Sequence, residues 1–445
     1  MNKKIKVIYD GTVVAEGEKT SFIENGAVAY TDEQILEVAT KDEIIASYPD
    51  AELLDAGGGY ITPSFINPHE HCYSAMVRGM GMTKYAPTNF MENLTQKWWN
   101  LDKALTEDQI RIGTQAFLID AAKNGVTTEF EHNASYGCIE DSLSMIAEAA
   151  EEVGIRICPC FEVSDRWGLD VAKRAVDENI RWMNLCDEKK SDQFAATIGL
   201  HASFTLSDQT FAYIRENYPL ERGCHIHIAE ALYDQEDSLE KYGMRITQRL
   251  DAMRLLNEKT IIAHGVYLSD DEMELIKEKN AMVVNNPESN MNNAVGCPPT
   301  HKLIEKEIVT GLGMDGFTHD MFLSWRIASA LYKHQSQDIN AAWTDLPRMV
   351  WRGNAEIGSR YFNRKMGCLE KGAVPDMMVL HYDSPTPVTK ENFNSHMLFG
   401  MNGSNVYMTI CGGKLIAKEG HCLTMDEEKI LYESRQQAAK LWEQF

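Results

Sequence analysis

Three features are scarce in this sequence of 445 residues: paired cysteines, basic charge and long apolar runs. The 10 cysteines include no Cys-x-x-Cys pair, which favours a reducing compartment over a disulfide framework. Lysine and arginine number 43 against 66 aspartates and glutamates, and the net charge of -23 argues against nucleic acid or an anionic membrane as partner. No run approaches the roughly 18 apolar residues of a membrane span, and no apolar segment follows the N-terminal lysines. These absences predict a cytoplasmic protein.

The sequence does contain enough apolar material for a large domain and a smaller one, since 44% of its residues are hydrophobic. In the middle of the chain, short β-rich segments alternate with stretches of helical periodicity. Eight strand candidates can be counted, from residues 60–67 to residues 308–316. Residues 107–125 form one of the clearest helical stretches and end in a glycine suited to the C′ position. The alternation predicts an α/β fold, a (β/α)8 TIM-like barrel.

The two chain ends have a different character, with short strands broken by turn residues. We therefore predict a small β-sandwich domain built from residues 1–58 and 368–425. The barrel is predicted to occupy residues 59–367, and residues 426–445 are predicted to form a C-terminal helix on the outside.

In such a barrel, functional side chains lie at the C-terminal ends of the strands. His69 and His71 end strand one, and because residues i and i+2 face the same side, both point toward one ion. His227 lies near the end of strand five, and Asp315 ends strand eight. The sequence therefore predicts that His69, His71, His227 and Asp315 bind a metal. Three imidazoles and a carboxylate suit zinc with an open position for water, while Fe2+ and Mn2+ are also compatible.

Two further residues are predicted to take part in catalysis. Glu230 lies three residues beyond His227, on the following loop and within reach of a water at the metal. His264 ends strand six, where it would orient that water or polarise the substrate. Asp315 is expected both to hold the metal and to accept a proton. His225, deeper in strand five, is interpreted as a packing residue rather than a ligand.

Four polar residues on these loops are candidates for substrate contacts: Arg78, His132, His201 and Asn290. Arg78 could instead form a salt bridge that fixes the strand-one loop, and Asn290 could merely cap a turn.

Taken in chain order, these elements resemble the amidohydrolase superfamily over nearly the full length. The resemblance rests on "PHEHCYSAMVRG" at 68–79, the His-x-x-Glu of 227–230, "AHG" at 263–265 and the Asp-Gly of 315–316. It is to the branch with one metal, which holds adenosine, cytosine and guanine deaminases and triazine hydrolases. Stretches such as "WWNLDKAL" and "SNMNNAVG" are similar to SsnA-type aminohydrolases, also labelled chlorohydrolases. Relatives with two metals carry a lysine at the end of strand four, where this chain has His201, so the resemblance implies one divalent ion.

The resemblance implies a metal-dependent hydrolytic deaminase that acts on a cyclic amidine, an amino-substituted purine-like or other nitrogen heterocycle. Glu230 would protonate the ring nitrogen during attack by water and then carry a proton to the leaving amine. Ring opening of a cyclic amide in purine catabolism would use the same residues and is an alternative; a chlorohydrolase and a non-enzymatic metal-binding protein are two more. The expected partners are a small heterocycle and water, and a homodimer is expected because two-fold dimers are the commonest oligomers.

Overall fold

The computed structural model describes residues 4–16, 21–81, 84–317 and 319–445. The N-terminal part supplies five strands: β1 Lys6–Ala15, β2 Ser21–Tyr30, β3 Ile35–Thr40, β4 Glu52–Asp55 and β5 Tyr60–Pro63. β1 pairs antiparallel with β2 and parallel with β4 and β5. The β1–β2 ladder is irregular at Gly11, where a Cβ atom would lie 2.5 Å from the carbonyl oxygen of Gly59. A side chain at Gly11 would therefore push β5 away from β1.

The barrel is a parallel sheet whose strands follow one another in chain order. Its strands are β6 Phe65–Glu70, β7 Val126–Asn133, β8 Arg156–Ile157, β9 Cys160–Val163, β10 Ile198–Ala202, β11 Cys224–Ile228, β12 Ile261–His264, β13 Met282–Asn285 and β14 Val309–Leu312. β8 and β9 are two parts of the third barrel strand, and both pair with β7. The interruption falls at Pro159, which has no N–H to donate to a ladder.

The first and last barrel strands are joined by backbone and side-chain bonds beyond the regular ladder. The backbone N–H of Asp315 donates to the carbonyl oxygen of His69 over 3.0 Å. At the other end of this seam, the Asn354 side chain donates to the carbonyl oxygens of Ile66 and Leu312, at 2.8 and 2.9 Å. The predicted (β/α)8 barrel is thereby confirmed as a nearly closed barrel, and its seam carries two of the residues predicted to bind metal.

The C-terminal part returns to the first sheet with four strands: β15 Met377–Leu380, β16 Val406–Cys411, β17 Lys414–Lys418 and β18 His421–Cys422. β15 pairs antiparallel with β5, so strands from both chain ends form one mixed sheet, as predicted. The first barrel strand is shorter than the predicted residues 60–67. Tyr60–Pro63 belongs to the mixed sheet, and the barrel begins only at Phe65.

Seventeen α-helices surround these sheets in the described residues: α1 Lys41–Ser47, α2 Phe90–Asn93, α3 Trp99–Ala104, α4 Glu107–Lys123, α5 Ser142–Val153, α6 Leu169–Lys189, α7 Asp208–Asn217, α8 Leu232–Tyr242, α9 Ile246–Ala252, α10 Asp270–Glu278, α11 Pro287–Asn292, α12 Thr300–Glu305, α13 Met321–Ser336, α14 Asp345–Arg348, α15 Asn354–Phe362, α16 Phe393–Gly400 and α17 Glu427–Trp442. α4 begins with a capping box between Thr106 and Gln109. α17 packs on the outside, where Trp442 Nε1 donates to the carbonyl oxygen of Met76 over 2.7 Å. None of the helices in these ranges has the length and apolar character needed to cross a bilayer.

The N-terminal end of the barrel is closed by apolar packing. Side chains from the strands meet side chains of α15 in one buried cluster that includes Ile66, Phe130, Ile261, Met282, Val284, Ile357 and Phe362. Because apolar side chains fill this end, the C-terminal end of the barrel is the one left open for a polar site.

Candidate metal centre and active site

Four buried side chains from the ends of β6, β11 and β14, or from the residues that follow them, converge at the C-terminal end of the barrel. His71 Nε2 lies 3.2 Å from His227 Nε2 and 3.3 Å from Asp315 Oδ1. His69 Nε2 lies 3.9 Å from the same carboxylate oxygen. The structure therefore brings together the four residues for which the sequence predicted metal binding.

Each histidine of this group is held by its Nδ1 atom, which leaves Nε2 directed at the others. His71 Nδ1 donates to the carbonyl oxygen of His132 over 2.6 Å, and His227 Nδ1 donates to that of His201 over 2.9 Å. His69 Nδ1 is bonded to His225 Nε2 over 2.8 Å. Bonds of this kind orient metal-binding imidazoles in proteins. The sequence interpretation of His225 as a packing residue agrees with its position beneath His69.

The charges and unpaired atoms of the group fit a divalent metal ion. His69 Nε2 is buried and has no hydrogen-bond partner among the described residues, which is rare for a polar atom unless it binds something else. Burial lowers the pKa of His69 and His227, so both imidazoles are neutral and can offer a lone pair. Burial alone would raise the pKa of Asp315. The nearby His71 and His264, together with hydrogen bonds from Ser289 and Gly316, have the opposite and larger effect, so the pKa of Asp315 is lowered and the group is a carboxylate.

His264 and Asp315 occupy strained backbone positions at the ends of their strands. Their φ angles are +73° and +56°, in the left-handed region that residues with a Cβ atom rarely adopt. His264 Nδ1 is bonded to Asn290 Oδ1 over 2.8 Å, and its Nε2 lies 3.6 Å from Asp315 Oδ2. Strain of this kind is concentrated at functional sites because it sets the direction of a side chain.

Glu230 stands beside this group on the loop after β11. Its Oε2 lies 3.7 Å from His264 Nε2, and its Oε1 accepts a hydrogen bond of 3.2 Å from Asn293 Nδ2. Burial raises the pKa of Glu230, which brings it closer to the range in which a carboxyl group can both accept and donate a proton near neutral pH.

These residues form the floor of a cavity at the C-terminal end of the barrel. A covering helix, defined as residues 90–104, lies over it and contributes Phe90, Leu94, Trp98 and Trp99 to its lining. A π-helical turn interrupts this helix at Leu94–Trp98, a feature found mostly at functional sites. The covering helix thus gives the cavity mostly apolar lining, with Asp102 as its charged residue, and the strand ends give it polar lining.

Of the four predicted substrate contacts, only His201 lines the cavity. The side chain of Arg78 is 54% exposed and forms an ion pair of 2.8 Å with Asp120, which corresponds to the alternative interpretation. His132 is buried below the floor, where its Nε2 donates to the carbonyl oxygen of His225. Asn290 is occupied by its bond to His264. These three side chains do not line the cavity.

Three charged cavity residues were not among the predicted site residues: Asp102, Glu162 and Arg166. Arg166 follows the third barrel strand, so the strand-end rule could have identified it. Asp102 comes from the covering helix, and no strand-end rule applies there. Burial acts to raise the pKa of Glu162, but His201 and Arg166 outweigh it and hold that pKa below its usual range.

With this geometry established, the chain can be compared with known proteins. Residues 60–416 match the Amidohydrolase family. The chain belongs to this family. The resemblance inferred from the sequence motifs is thereby confirmed.

Similar proteins extend over almost the whole chain. One relative is the 5'-deoxyadenosine deaminase of Methanobrevibacter smithii, 28% identical over 94% of this chain and 94% of its own length. Another is the 5-methylthioadenosine/S-adenosylhomocysteine deaminase of Syntrophomonas wolfei, 26% identical over 98% and 99% of the two chains. Among solved structures, an adenosine deaminase from Xanthomonas campestris with bound zinc has a TM-score of 0.84 at 21% identity, with 98% of each chain covered. The structural likeness confirms the fold.

Proposed function

We propose that the protein is a metal-dependent hydrolytic deaminase that releases ammonia from an amino-substituted, purine-like heterocycle. The observation that carries this proposal is the position of Glu230, whose carboxyl group lies 3.7 Å from His264 Nε2 and beside the predicted metal ligands. The deaminase names of the relatives support the same reaction for this member of the Amidohydrolase family.

The predicted ligands of the ion are His69, His71, His227 and Asp315, and zinc is the metal we propose, because three imidazoles and a carboxylate suit it. When bound, the ion supplies Lewis-acid activation of the attacking water. Iron and manganese can use the same ligand types, so the metal is to be identified by elemental analysis.

Proton movement in this reaction is assigned to the protein's own side chains. As water adds to the amidine carbon, Glu230 receives a water proton and passes it to the ring nitrogen. The remaining hydroxyl proton then moves to the exocyclic nitrogen, the C–N bond breaks, and ammonia leaves while a carbonyl group forms. His264, held by Asn290, orients the water or the substrate, and Asp315 is proposed to accept the first water proton and pass it to Glu230.

We propose that the substrate is a free small molecule and that the reaction belongs to purine catabolism. The test is a panel of aminopurines, pyrimidines, pterins and triazines, each scored for ammonia and for ring absorbance. We expect ammonia release with the ring intact, and Glu230→Gln should lose turnover by about 100-fold or more. Water addition with loss of ring absorbance and no free ammonia would instead establish the ring-opening alternative.

A further inference from the structure

The first barrel strand is irregular at the point where it carries a predicted metal ligand. In its ladder with β7, Asn67 pairs with Glu129 and Glu70 pairs with Glu131. β6 therefore has one residue more than β7 over this interval, and the interval contains His69. Bulges of this kind re-aim side chains near active sites, but they disrupt the regular backbone pairing. Other contacts must therefore fix this part of β6.

The side chain of Asn67 makes such contacts. It is fully buried, and its Oδ1 accepts a bond of 3.2 Å from the backbone N–H of Met314. Its Nδ2 donates to Glu70 Oε2 over 3.0 Å and to Glu129 Oε2 over 2.7 Å. These partners fix the orientation of the amide, because a backbone N–H can only donate and the carboxyl oxygens can accept.

The bonds of Asn67 do not depend on the charge of the two carboxyl groups. Burial raises the pKa of both Glu70 and Glu129. A protonated carboxyl group still accepts hydrogen bonds through its oxygens, so Asn67 Nδ2 keeps an acceptor on each side in either protonation state. The role of Asn67 is therefore argued from the direction of its hydrogen bonds and not from ionisation.

Through these bonds, Asn67 links two segments that carry predicted metal ligands. Glu70 Oε1 accepts a bond of 2.8 Å from the backbone N–H of His71, so one link leads to the end of β6. Met314 immediately precedes Asp315, so the other link leads to the loop after β14. The ligand atoms beyond the two links, His71 Nε2 and Asp315 Oδ1, are 3.3 Å apart.

We propose that Asn67 is a positioning residue for the metal centre. It holds the turn that carries His71 and the loop that carries Asp315 at the spacing that one divalent ion requires, and Glu129 anchors it to β7. This inference rests on the proposed metal-dependent function, but it concerns metal affinity and needs no turnover to be tested.

Asn67→Asp tests the assignment with almost no change of shape. An aspartate can still accept from Met314, but it lacks the amide protons that Asn67 donates to Glu70 and Glu129. The dissociation constant for Zn2+, measured by competition with a chelator, should rise at least about 10-fold, the lower end of the effect of outer contacts on metal sites. The visible absorption spectrum of the Co2+-substituted protein should also change, because the arrangement of the ligands changes.

Asn179→Asp is the matched control. Asn179 is also fully buried, and its Nδ2 donates to the carbonyl oxygens of Phe161 and Ala175 over 2.8 Å each, but neither residue is next to a predicted ligand. This variant loses two buried hydrogen bonds as well, and it should keep the Zn2+ dissociation constant within about two-fold of wild type.

A second pair of variants removes the same link from its other side. Glu129 Oε1 is buried without a partner in the part of the chain that the structure describes, so an apolar side chain is tolerated at this position. Glu129→Leu takes away the anchor of Asn67 and should weaken Zn2+ binding about 10-fold. Glu129→Gln keeps a carbonyl oxygen for Asn67 Nδ2 and should bind Zn2+ within about two-fold of wild type.

Unchanged Zn2+ affinity in folded Asn67→Asp protein would overturn the proposal, and so would an equal loss of affinity in Asn179→Asp. If Asn67→Asp does not fold, the Glu129 variants decide, since equal affinities of the leucine and glutamine variants would overturn it too. Wild-type protein that binds no divalent ion would contradict the proposed metal-dependent function itself, and this inference with it.

Discussion

Asn293 holds the catalytic candidate Glu230 through a hydrogen bond of 3.2 Å from its Nδ2 to Glu230 Oε1. The Oδ1 of the same side chain accepts a bond of 3.2 Å from Asn93 of the covering helix. The two bonds have a consistent direction, since the amide donates to the carboxylate and accepts from the helix. The position of Glu230 is thereby linked to the helix that covers the cavity.

This link predicts a loss of turnover in Asn293→Leu. Without the amide, Oε1 loses a donor that favours its ionised form, and the carboxyl group is free to rotate. We expect kcat to fall about 10-fold with a smaller change in KM, because one hydrogen bond to a charged group is lost. Steady-state kinetics would measure this, with Asn292→Leu as control, since Asn292 is an exposed neighbour on the same helix. Equal kcat values in the two variants would contradict the role of Asn293.

The two histidines of β11 should behave differently when removed. His227→Ala deletes a predicted ligand and should leave protein without bound metal. His225→Ala deletes only the partner of His69 Nδ1, so the metal should remain but bind about 10–100-fold more weakly. Elemental analysis and chelator titration of both variants would measure this, with the exposed His421→Ala as control. Loss of metal from His225→Ala alone, with His227→Ala still loaded, would reverse the assignment.

Asp234 gives a prediction about stability and pH. It accepts a bond of 2.8 Å from the backbone N–H of Ala229 on the loop that carries Glu230, and burial raises its pKa to about 7. The folded protein therefore retains a proton that the unfolded chain, with its lower pKa, releases as pH rises from about 4 to 7. Stability is lost over that interval because the unfolded state binds fewer protons. Asp234→Asn cannot ionise and should escape this loss.

The measurement is the melting temperature of wild-type and Asp234→Asn protein between pH 5 and pH 8. The difference in favour of the variant should grow with pH. Asp187→Asn, at an exposed position, should follow the wild-type curve. Parallel curves for wild type and Asp234→Asn would show that Asp234 does not titrate in this range.

The residues that the sequence located correctly are those whose position follows from strand geometry. His69 and His227 lie on strands, where the alternation of side chains fixes the face, His71 directly follows β6, and Asp315 lies three residues beyond the end of β14. Arg78 and Asn290 lie beyond the strands, and there the path of the loop decides the direction of the side chain. The sequence alone does not specify that path, which is why both interpretations of Arg78 stayed open until its ion pair with Asp120 was seen.

Asp102 could not be found for a different reason. It lies on the covering helix, and its contact with Arg166 joins residues 64 positions apart in the chain. Local periodicity places Asp102 on a helix but cannot say which strand end that helix covers. The contact between Asp102 and Arg166 is thus a product of tertiary packing, whereas the predicted metal ligands follow largely from the barrel itself.

Arg166 and Arg78 allow a last prediction, because both pair with aspartate but in different surroundings. The side chains of Arg166 and Asp102 are 3% and 2% exposed, whereas those of Arg78 and Asp120 are 54% and 38% exposed. Arg166→Met would leave Asp102 and Glu162 buried without their cation, a change that costs about 3–5 kcal/mol of unfolding free energy. Arg78→Met removes a surface pair in water and should cost less than about 1 kcal/mol.

Urea unfolding of the two methionine variants would measure this difference, and kinetics would separate their effects on substrate. Arg78→Met should keep KM within about two-fold of wild type, since Arg78 lies outside the cavity. Arg166→Lys keeps the positive charge but lacks the planar group that reaches both carboxylates, so it should recover only part of the stability. A large rise of KM in Arg78→Met, with unchanged stability, would restore the substrate contact that the sequence predicted. A small loss of stability in Arg166→Met would mean that water reaches Asp102 and Glu162 and that this group is less enclosed than its contacts indicate.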